Sequence, residues 1–425
     1  VYVYKTTNYG ASWSKITSGI PTGSFARVVR EDPARKDLLY CGTERGLFVS
    51  FDGGTSWSRF LLNLPLTPIH DLAIQGREHD LVLGTHGRSF WIFDDLTSLR
   101  QLSTSVMTAS FHVFTPRHAY RVDGGSWSAP TMDVGENAPN GVLLRYWLAD
   151  TTSKELTLTI RTQGGDSVAG FSSKKDRKGE EFKNDRKFYR DSLFRPSSEA
   201  LTLFSGQNQF QWNMRWPDAE DLEGVMWGAG TSGPRAAPGL YTATFSLASD
   251  TQRVSFEIRK DPRLDVPDAD LVAQEIFLRD VTRTLTDVHK AIKRMRDVRA
   301  QVSAAVGRTS HLDTTATKDI TVLSKIINDT LQHIEDSMVQ TKAKAGQDLL
   351  NYPVKLNNKI ASLSEVASSA DTRPTQQTLD LFAALSAQAA AKLATIKSIE
   401  SDQVRRFNEQ ISALALPAVL PEKKK

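Results

Sequence analysis

Ser50-Phe51-Asp52-Gly53-Gly54-Thr55-Ser56-Trp57 reads as a tight turn followed by a buried ring, and the same grammar occurs earlier as Thr6-Thr7-Asn8-Tyr9-Gly10-Ala11-Ser12-Trp13. Each copy carries a hydroxyl residue, an Asp or Asn two positions on, a Gly two further and a Trp three beyond that. The Asp or Asn side chain can accept backbone N–H groups a few residues on and so close a turn. The Gly supplies a backbone angle that other residues resist, and the Trp buries a large ring against the next strand. Asn8 and Asp52 stand 44 residues apart.

A period of roughly 40–45 residues is that of a four-stranded propeller blade. The surrounding sequence follows it. Strand-like runs fall at Ala26 to Arg30, Leu38 to Gly42, Gly46 to Ser50 and Trp57 to Leu61, and restart at Ile69 to Gln75, Asp80 to Gly84 and Ser89 to Phe93. Gly42-Thr43-Glu44-Arg45-Gly46 matches Gly84-Thr85-His86-Gly87-Arg88 at a separation of 42. The last repeat has no such turn; it ends at Asp94-Asp95-Leu96, and the chain leaves the pattern near Leu102. About two and a half blades are expected here, where propellers have roughly 4–8. The reading therefore places further blades before Val1.

The repeated turn resembles the Asp-box, or BNR, repeat of sialidases, sortilin-type propellers and xyloglucanases. The resemblance implies that Asn8, Gly10, Trp13, Asp52, Gly54 and Trp57 are structural. They would join the third and fourth strands of a blade on the face opposite the binding cleft. Asp52 is then a turn-former and not a catalytic acid.

The rest of the chain changes character twice. Residues 103–135 read as a linker in which Phe111-His112-Val113-Phe114 is placed to pack on a neighbouring domain and Gly124-Gly125 breaks any element. From 136 to 264 short alternating strands return, at Val142 to Leu148, Leu156 to Arg161, Gln209 to Arg215, Tyr241 to Leu247 and Arg253 to Arg259. That spacing predicts a small β-sandwich. Phe210-Gln211-Trp212-Asn213-Met214-Arg215 and Pro238-Gly239-Leu240-Tyr241-Thr242-Ala243 resemble strands of the Ig-like domain in the flagellar hook-capping protein. The charged insert Ser172 to Arg195 reads as an exposed loop.

Residues 265–415 turn helical. Val281, Leu285, Val288, Ile292 and Met295 alternate at spacings of four and three, as do Ile320, Leu323, Ile327, Leu331, Ile334 and Met338. Leu356, Ile360 and Leu363 form a shorter stripe; Leu379, Phe382, Ser386, Ala389, Leu393 and Ile396 form another. Such stripes are the seams of an antiparallel bundle, here of three long helices and one short. Residues 416–425 form a tail. The fold class is thus multidomain, β plus α: a partial Asp-box β-propeller, an Ig-like β-sandwich and a C-terminal antiparallel helical bundle.

Composition excludes several function classes. The chain has 425 residues and a net charge of +4, with no basic stripe interleaved with aromatics, so nucleic acid is not an expected partner. The lone cysteine, Cys41, permits neither an internal disulfide framework nor a thiolate zinc cluster. No unbroken apolar run reaches the ~18 residues of a membrane span. Gly228-Ala229-Gly230-Thr231-Ser232-Gly233 matches a dinucleotide fingerprint in letters only, because prolines and a strand follow where a helix is required. No cofactor and no metal are expected.

The chemistry should lie on the face opposite the Asp-box turns, at the mouth of the axial channel. Loops entering the first strand and joining the second to the third would bring Glu44 and Arg45 from one repeat beside His70, Asp71, His86 and Arg88 from the next. Two imidazoles, two carboxylates and two guanidinium groups on one rim could bind an anionic or polyhydroxylated ligand. The plainer alternative has Arg88 and Asp71 forming ion pairs between blades and His86 capping a turn. Catalytic residues are not identifiable: hydrolysis needs two facing carboxylates about 5–9.5 Å apart, and Asp94 and Asp95 should sit on the Asp-box face. The sialidase arginine triad and nucleophilic Tyr are not evident either.

Together these features resemble the C-terminal part of a bacterial sortilin-like BNR-propeller protein, a group often labelled glycosyl hydrolases. The resemblance implies an exported protein, periplasmic or extracellular, whose propeller mouth recognises a peptide or glycan ligand. A glycoside hydrolase with its acids mainly in preceding blades is the alternative. The bundle offers a route to a homo-oligomer.

Overall fold

The structure, a computed structural model, describes residues 1–122, 135, 138, 140–174, 200–223, 225, 228–310 and 312–415. The Gly124-Gly125 break, most of the charged insert and the 416–425 tail lie outside the described residues. The chain is of mixed β and α type and divides into two compact units. One comprises Val1–Asn213 with Gly239–Arg259; the other comprises Met214–Pro238 with Lys260–Lys425.

The first unit opens with a two-stranded pair, β1 (Tyr4–Lys5) and β2 (Ser14–Lys15). Two antiparallel meanders follow. The first runs β3 (Ala26–Glu31), β4 (Leu39–Thr43), β5 (Gly46–Ser50) and β6 (Ser58–Phe60) in spatial order. The second runs β7 (Ile69–Gln75), β8 (Asp80–Thr85) and β9 (Phe90–Phe93). Leu38, Tyr40, Leu47 and Val49 of the first meander and Ile69, Leu72, Leu81 and Leu83 of the second are buried in one apolar cluster. The meanders meet closely at Gly42. A Cβ there would stand 2.8 Å from Val28 Cγ1 and 2.9 Å from the Ile69 carbonyl, so only a glycine fits.

A short helix, α1 (Thr97–Gln101), closes this region. Arg35 Nη1 donates to the carbonyls of Leu99, Arg100 and Leu102 at 2.9, 3.1 and 2.7 Å. These are the orphan acceptors of a helix C-terminus. Arg100 in turn pairs with the buried Asp32 at 2.9 Å.

After α2 (Thr104–Thr108) come β10 (Phe111–Val113) and β11 (Ala119–Arg121). These strands fall where the sequence suggests a linker. Each is three residues long, too short for periodicity to register. Then follow β12 (Val142–Leu148), β13 (Leu156–Thr162), β14 (Ser167–Ser172), β15 (Gly206–Trp212), β16 (Gly239–Leu247) and β17 (Asp250–Lys260). They form a three-stranded sheet, β10-β12-β15, and a five-stranded sheet, β11-β17-β16-β13-β14. Trp212, Tyr241 and Phe256 pack as an aromatic cluster, with ring centroids 5.8–6.1 Å apart. Sequence periodicity sets β15 several residues too late. The strand ends at Trp212 because Met214 takes a positive φ of 58°, which no ladder accommodates.

The second unit is helical. Its elements are α3 (Asp268–Gly307), α4 (Thr314–Met338), α5 (Leu356–Ser368), α6 (Gln376–Ile399) and α7 (Arg405–Ala413), the last two joined through a π-turn at Glu400–Val404. Asp268 and Asp270 sit in the first turn of α3, where negative charge complements the helix dipole. Val281, Leu285, Val288, Ile292 and Met295 are buried with Ile327, Leu331 and Met338 of α4, Ile360 of α5 and Leu385 and Ile396 of α6. Among the described residues one helix, Gln376–Ala413, is long and apolar enough to cross a membrane by length and composition, with mean hydropathy 1.3. The count of unbroken apolar runs misses it because polar residues punctuate an alanine-rich surface. Within the unit its Leu385, Ala389, Ile396 and Ile399 serve the bundle core.

One buried imidazole gives this unit a pH dependence. His289 is fully buried, with Nδ1 2.5 Å from the Glu220 carbonyl and Nε2 3.3 Å from Asn357 Nδ2. A carbonyl only accepts, so Nδ1 carries the proton and Nε2 accepts from Asn357. Burial, against the opposing pull of the Glu220 carbonyl, holds this group below the ordinary imidazole value. The unfolded chain therefore takes up a proton that the folded unit refuses, and stability falls as pH drops below about 6.5. Denaturation midpoints of the wild type should decline between pH 7 and 5.5, less steeply in His289→Gln. Equal slopes in the two proteins would rule out His289 as the source.

Candidate functional site

The two repeated turns share their main hydrogen bonds and differ at the serine, where Asn8 Nδ2 donates to Ser12 Oγ but Ser56 Oγ donates to Asp52 Oδ2. In the second, Asp52 Oδ1 accepts the Ser56 N–H at 2.9 Å and the Ser50 hydroxyl at 2.8 Å, while Ser50 Oγ accepts the Gly54 N–H at 2.8 Å. In the first, Asn8 Oδ1 accepts the Ser12 N–H at 2.9 Å and the Thr6 hydroxyl at 3.0 Å, and Thr6 Oγ1 accepts the Gly10 N–H at 2.9 Å. Gly10 and Gly54 share positive φ values of 93° and 92°. Burial pushes the Asp52 carboxyl up, but the Ser56 and Ser50 donors outweigh it and leave the group below the usual carboxylate range. An ionised acceptor saturated by its own turn is no proton donor. Trp57 is buried and donates Nε1 to the Ile16 carbonyl at 2.9 Å, whereas Trp13 is 60% exposed.

At the opposite ends of β4 and β8 the two meanders repeat a second device. The β3–β4 ladder pairs Ala26 with Thr43 and Val28 with Gly42, leaving Arg27 as an extra, bulged residue. The β7–β8 ladder pairs Ile69 with Thr85 and Asp71 with Gly84, leaving His70 in the corresponding place. Such a bulge re-aims one side chain without altering the register beyond it. The hairpin residues after β4 and β8 are also equivalent: the Glu44 N–H donates to the Phe25 carbonyl and the His86 N–H to the Pro68 carbonyl, both at 2.9 Å. Each corner therefore offers one bulged and one hairpin side chain, Arg27 with Glu44 and His70 with His86.

These four residues form the cluster. Arg27 Nη2 lies 2.6 Å from Glu44 Oε2. The His70 and His86 rings are 4.8 Å apart between centroids, inclined at 57°. The Arg27 hydrogen bond first, then the nearby His70 and His86, hold the Glu44 carboxyl below the usual range. Phe25 adds an exposed ring beside this corner. Thr43 Oγ1 braces one hairpin by donating to the Gly46 carbonyl at 2.9 Å, and Thr85 Oγ1 braces the other by donating to Ser89 at 2.6 Å.

Of the six residues expected from sequence, the structure groups Glu44, His70 and His86. Asp71 lies alongside but pairs with Arg30 at 3.0 Å, not with Arg88. Arg88 folds back on the Gly87 carbonyl at 3.0 Å, and the Arg45 side chain shows no hydrogen bond or ion pair to the cluster. Arg27 and Arg30 were missed by sequence reading. Their signal was available, since Arg27 stands one repeat period before His70 in a matching strand.

Asp94 and Asp95 serve a different purpose. Asp95 Oδ1 accepts the Thr97 N–H at 3.1 Å at the start of α1. Its carboxylate pairs with Arg145 at 2.5 Å, both side chains almost fully buried. Among the described residues no group of three or more His, Cys, Asp or Glu side chains is placed to hold a metal ion.

The sequence matches no family model and no curated protein. Among solved structures, the chain is similar to the extracellular domain of a hybrid two-component system from B. thetaiotaomicron at 11% identity and a TM-score of 0.17. The match covers 60% of this chain, which spans 28% of the length of that structure.

Proposed function

We propose that the two meanders are blades of an Asp-box β-propeller, that β10 to β17 form an Ig-like sandwich, and that the protein is an exported, sortilin-like recognition module. Its ligand, a peptide or glycan, sits at the corner built by Arg27, Glu44, His70 and His86. The observation that carries this reading is the repetition of the corner. Two equivalent bulges and two equivalent hairpins present side chains of different chemistry from one scaffold, which is how repeat folds build ligand sites on rigid elements.

Recognition is favoured over glycoside hydrolysis by the state of the carboxylates. A general acid needs a raised pKa, whereas Glu44 is held down by Arg27 and Asp71 is ion-paired to Arg30. Imidazole N–H groups and a paired carboxylate suit the directional hydrogen bonding of sugar hydroxyls or peptide amides. The exposed Phe25 ring suits an apolar face of either.

Panels of neutral and acidic glycans and of short peptides, screened against the full chain, should yield a binder. Replacing His70 and His86 together by Ala should weaken it about tenfold or more, as expected for loss of two to three hydrogen bonds at roughly 0.5–1.5 kcal/mol each. Unchanged affinity in that double variant would remove the corner from the site. Turnover of a glycan that is abolished in Glu44→Gln would favour hydrolysis.

A further inference from the structure

The outer face of the five-stranded sheet carries a second depression, remote in sequence from the corner and independent of it. Its volume is about 470 Å³, within the roughly 300–1,000 Å³ of ligand sites. Thr159, Arg161, Thr242, Thr244 and Arg253 line it, together with the β13–β14 turn at Thr162 and Gly165. The lining holds no carboxylate and no large apolar side chain.

Register explains the arrangement. Thr159 pairs with Thr244, and Thr244 pairs with Arg253, so one row across β13, β16 and β17 presents two hydroxyls and a guanidinium. Arg161 pairs with Thr242 in the next row of the same face. Adjacent strands lie about 4.8 Å apart, so the two guanidinium groups flank a grid of hydroxyls at opposite corners. Neither is neutralised. Arg161 donates once, to the Gly165 carbonyl at 2.9 Å, and keeps its remaining N–H groups. Among the described residues the Arg253 side chain has no hydrogen bond or ion pair. The acids nearest along these strands are Asp250, whose carboxylate accepts from Gln252 at 3.4 Å, and Asp166 beside Gly165, itself engaged; farther along, Glu257 pairs with Arg259 at 2.7 Å and Glu155 with Lys174 at 2.6 Å.

We infer that this face binds a linear polyuronate, an acidic polysaccharide whose carboxylates dock on Arg161 and Arg253 and whose hydroxyls exchange hydrogen bonds with the threonine grid. A guanidinium grips a carboxylate with two parallel N–H donors. Threonine hydroxyls both donate and accept, matching sugar hydroxyls, which do the same. An acidic peptide would want apolar pockets for its other side chains, and this lining supplies none. The two guanidinium groups, with no carboxylate among the lining residues, attract a polyanion.

The test is calorimetric titration of the full chain with an oligogalacturonate of defined length. Binding is expected, weakening as salt rises because the contacts lie at the surface. Arg253→Gln and Arg161→Gln should each lower affinity about tenfold, and the near-isosteric Thr244→Val several-fold with the charge unchanged. The fully methyl-esterified oligomer should not bind, and the His70→Ala/His86→Ala variant should bind as the wild type does. No binding, equal binding of the methyl ester or of polyglutamate, or indifference to the arginine substitutions would overturn the assignment. Loss of binding in the His70/His86 variant alone would move the site to the corner.

Discussion

Replacing Trp57 by Ala is expected to cost about 3–5 kcal/mol, the range for truncating a large buried aromatic, while the same change at Trp13 should cost about 0.5 kcal/mol or less. Both residues occupy one position of one motif, with matching turn hydrogen bonds, so the motif does not set the difference. Trp57 is 4% exposed, packs with Ile20, Leu39, Cys41 and Phe48, and anchors its indole N–H on the Ile16 carbonyl. Truncation leaves a cavity and an orphaned carbonyl. Trp13 is 60% exposed and loses little. Circular dichroism during urea denaturation, with amide exchange read across β4 and β5, checks the contrast. Two equal shifts would mean that the turn, not the buried ring, holds the meander together.

The second large effect is expected at Asp95. Asp95→Asn keeps a residue that tolerates the positive φ of 59° but leaves Arg145 charged, buried and without its partner. Breaking a buried pair in this way costs roughly 3–5 kcal/mol. Burial raises the Asp95 carboxyl, while the Arg145 guanidinium and the Thr97 N–H outweigh it, so the group stays below the usual carboxylate range. The stabilisation is thus complete above the unfolded value near 3.9 and is lost as pH falls through the lower folded one. Wild type and Asp95→Asn should therefore differ most near neutrality and converge in acid. A difference that persists undiminished at the lowest pH would show that shape, not charge, is what Asp95 contributes. Arg145→Met should also destabilise the fold, because it leaves the Asp95 carboxylate buried without its guanidinium partner.

The two repeated turns were legible in sequence because the bonds that make them close within a handful of residues. The helical seams of α3 and α4 were legible for a related reason, since their burial pattern repeats at the helix period over many turns. Three of the corner's four residues, Glu44, His70 and His86, were legible. Glu44 and His86 sit in hairpins whose Gly-Thr signature repeats, but Arg27 and Arg30 lie inside a strand that reads as uninterrupted. A bulge leaves no mark in the hydrophobic pattern of so short a strand. β14 was hidden by its composition, since Ser167, Gly170 and Ser172 are poor strand formers and its pairing with β13 supplies what propensity does not. Asp94 and Asp95 were expected on the face of the repeated turns; that Asp95 serves as the counter-ion of Arg145, 50 residues on, is a long-range contact no local pattern encodes.

The extra residue at Arg27 and at His70 belongs to no rung of its ladder, and this has a bearing on how such a protein can change. A substitution at a paired strand position must satisfy its cross-strand neighbour and the core beneath. A substitution at the bulge answers to neither. The bulged residue is a guanidinium in one meander and an imidazole in the other, its hairpin companion a carboxylate in one and an imidazole in the other, and a glycine precedes each hairpin. In the proposed site, the side chains at the corner are therefore set separately from the ladder that stabilises it. A lineage could rewrite what the corner prefers one repeat at a time, and Gly42 at the seam between meanders would remain the residue that cannot follow.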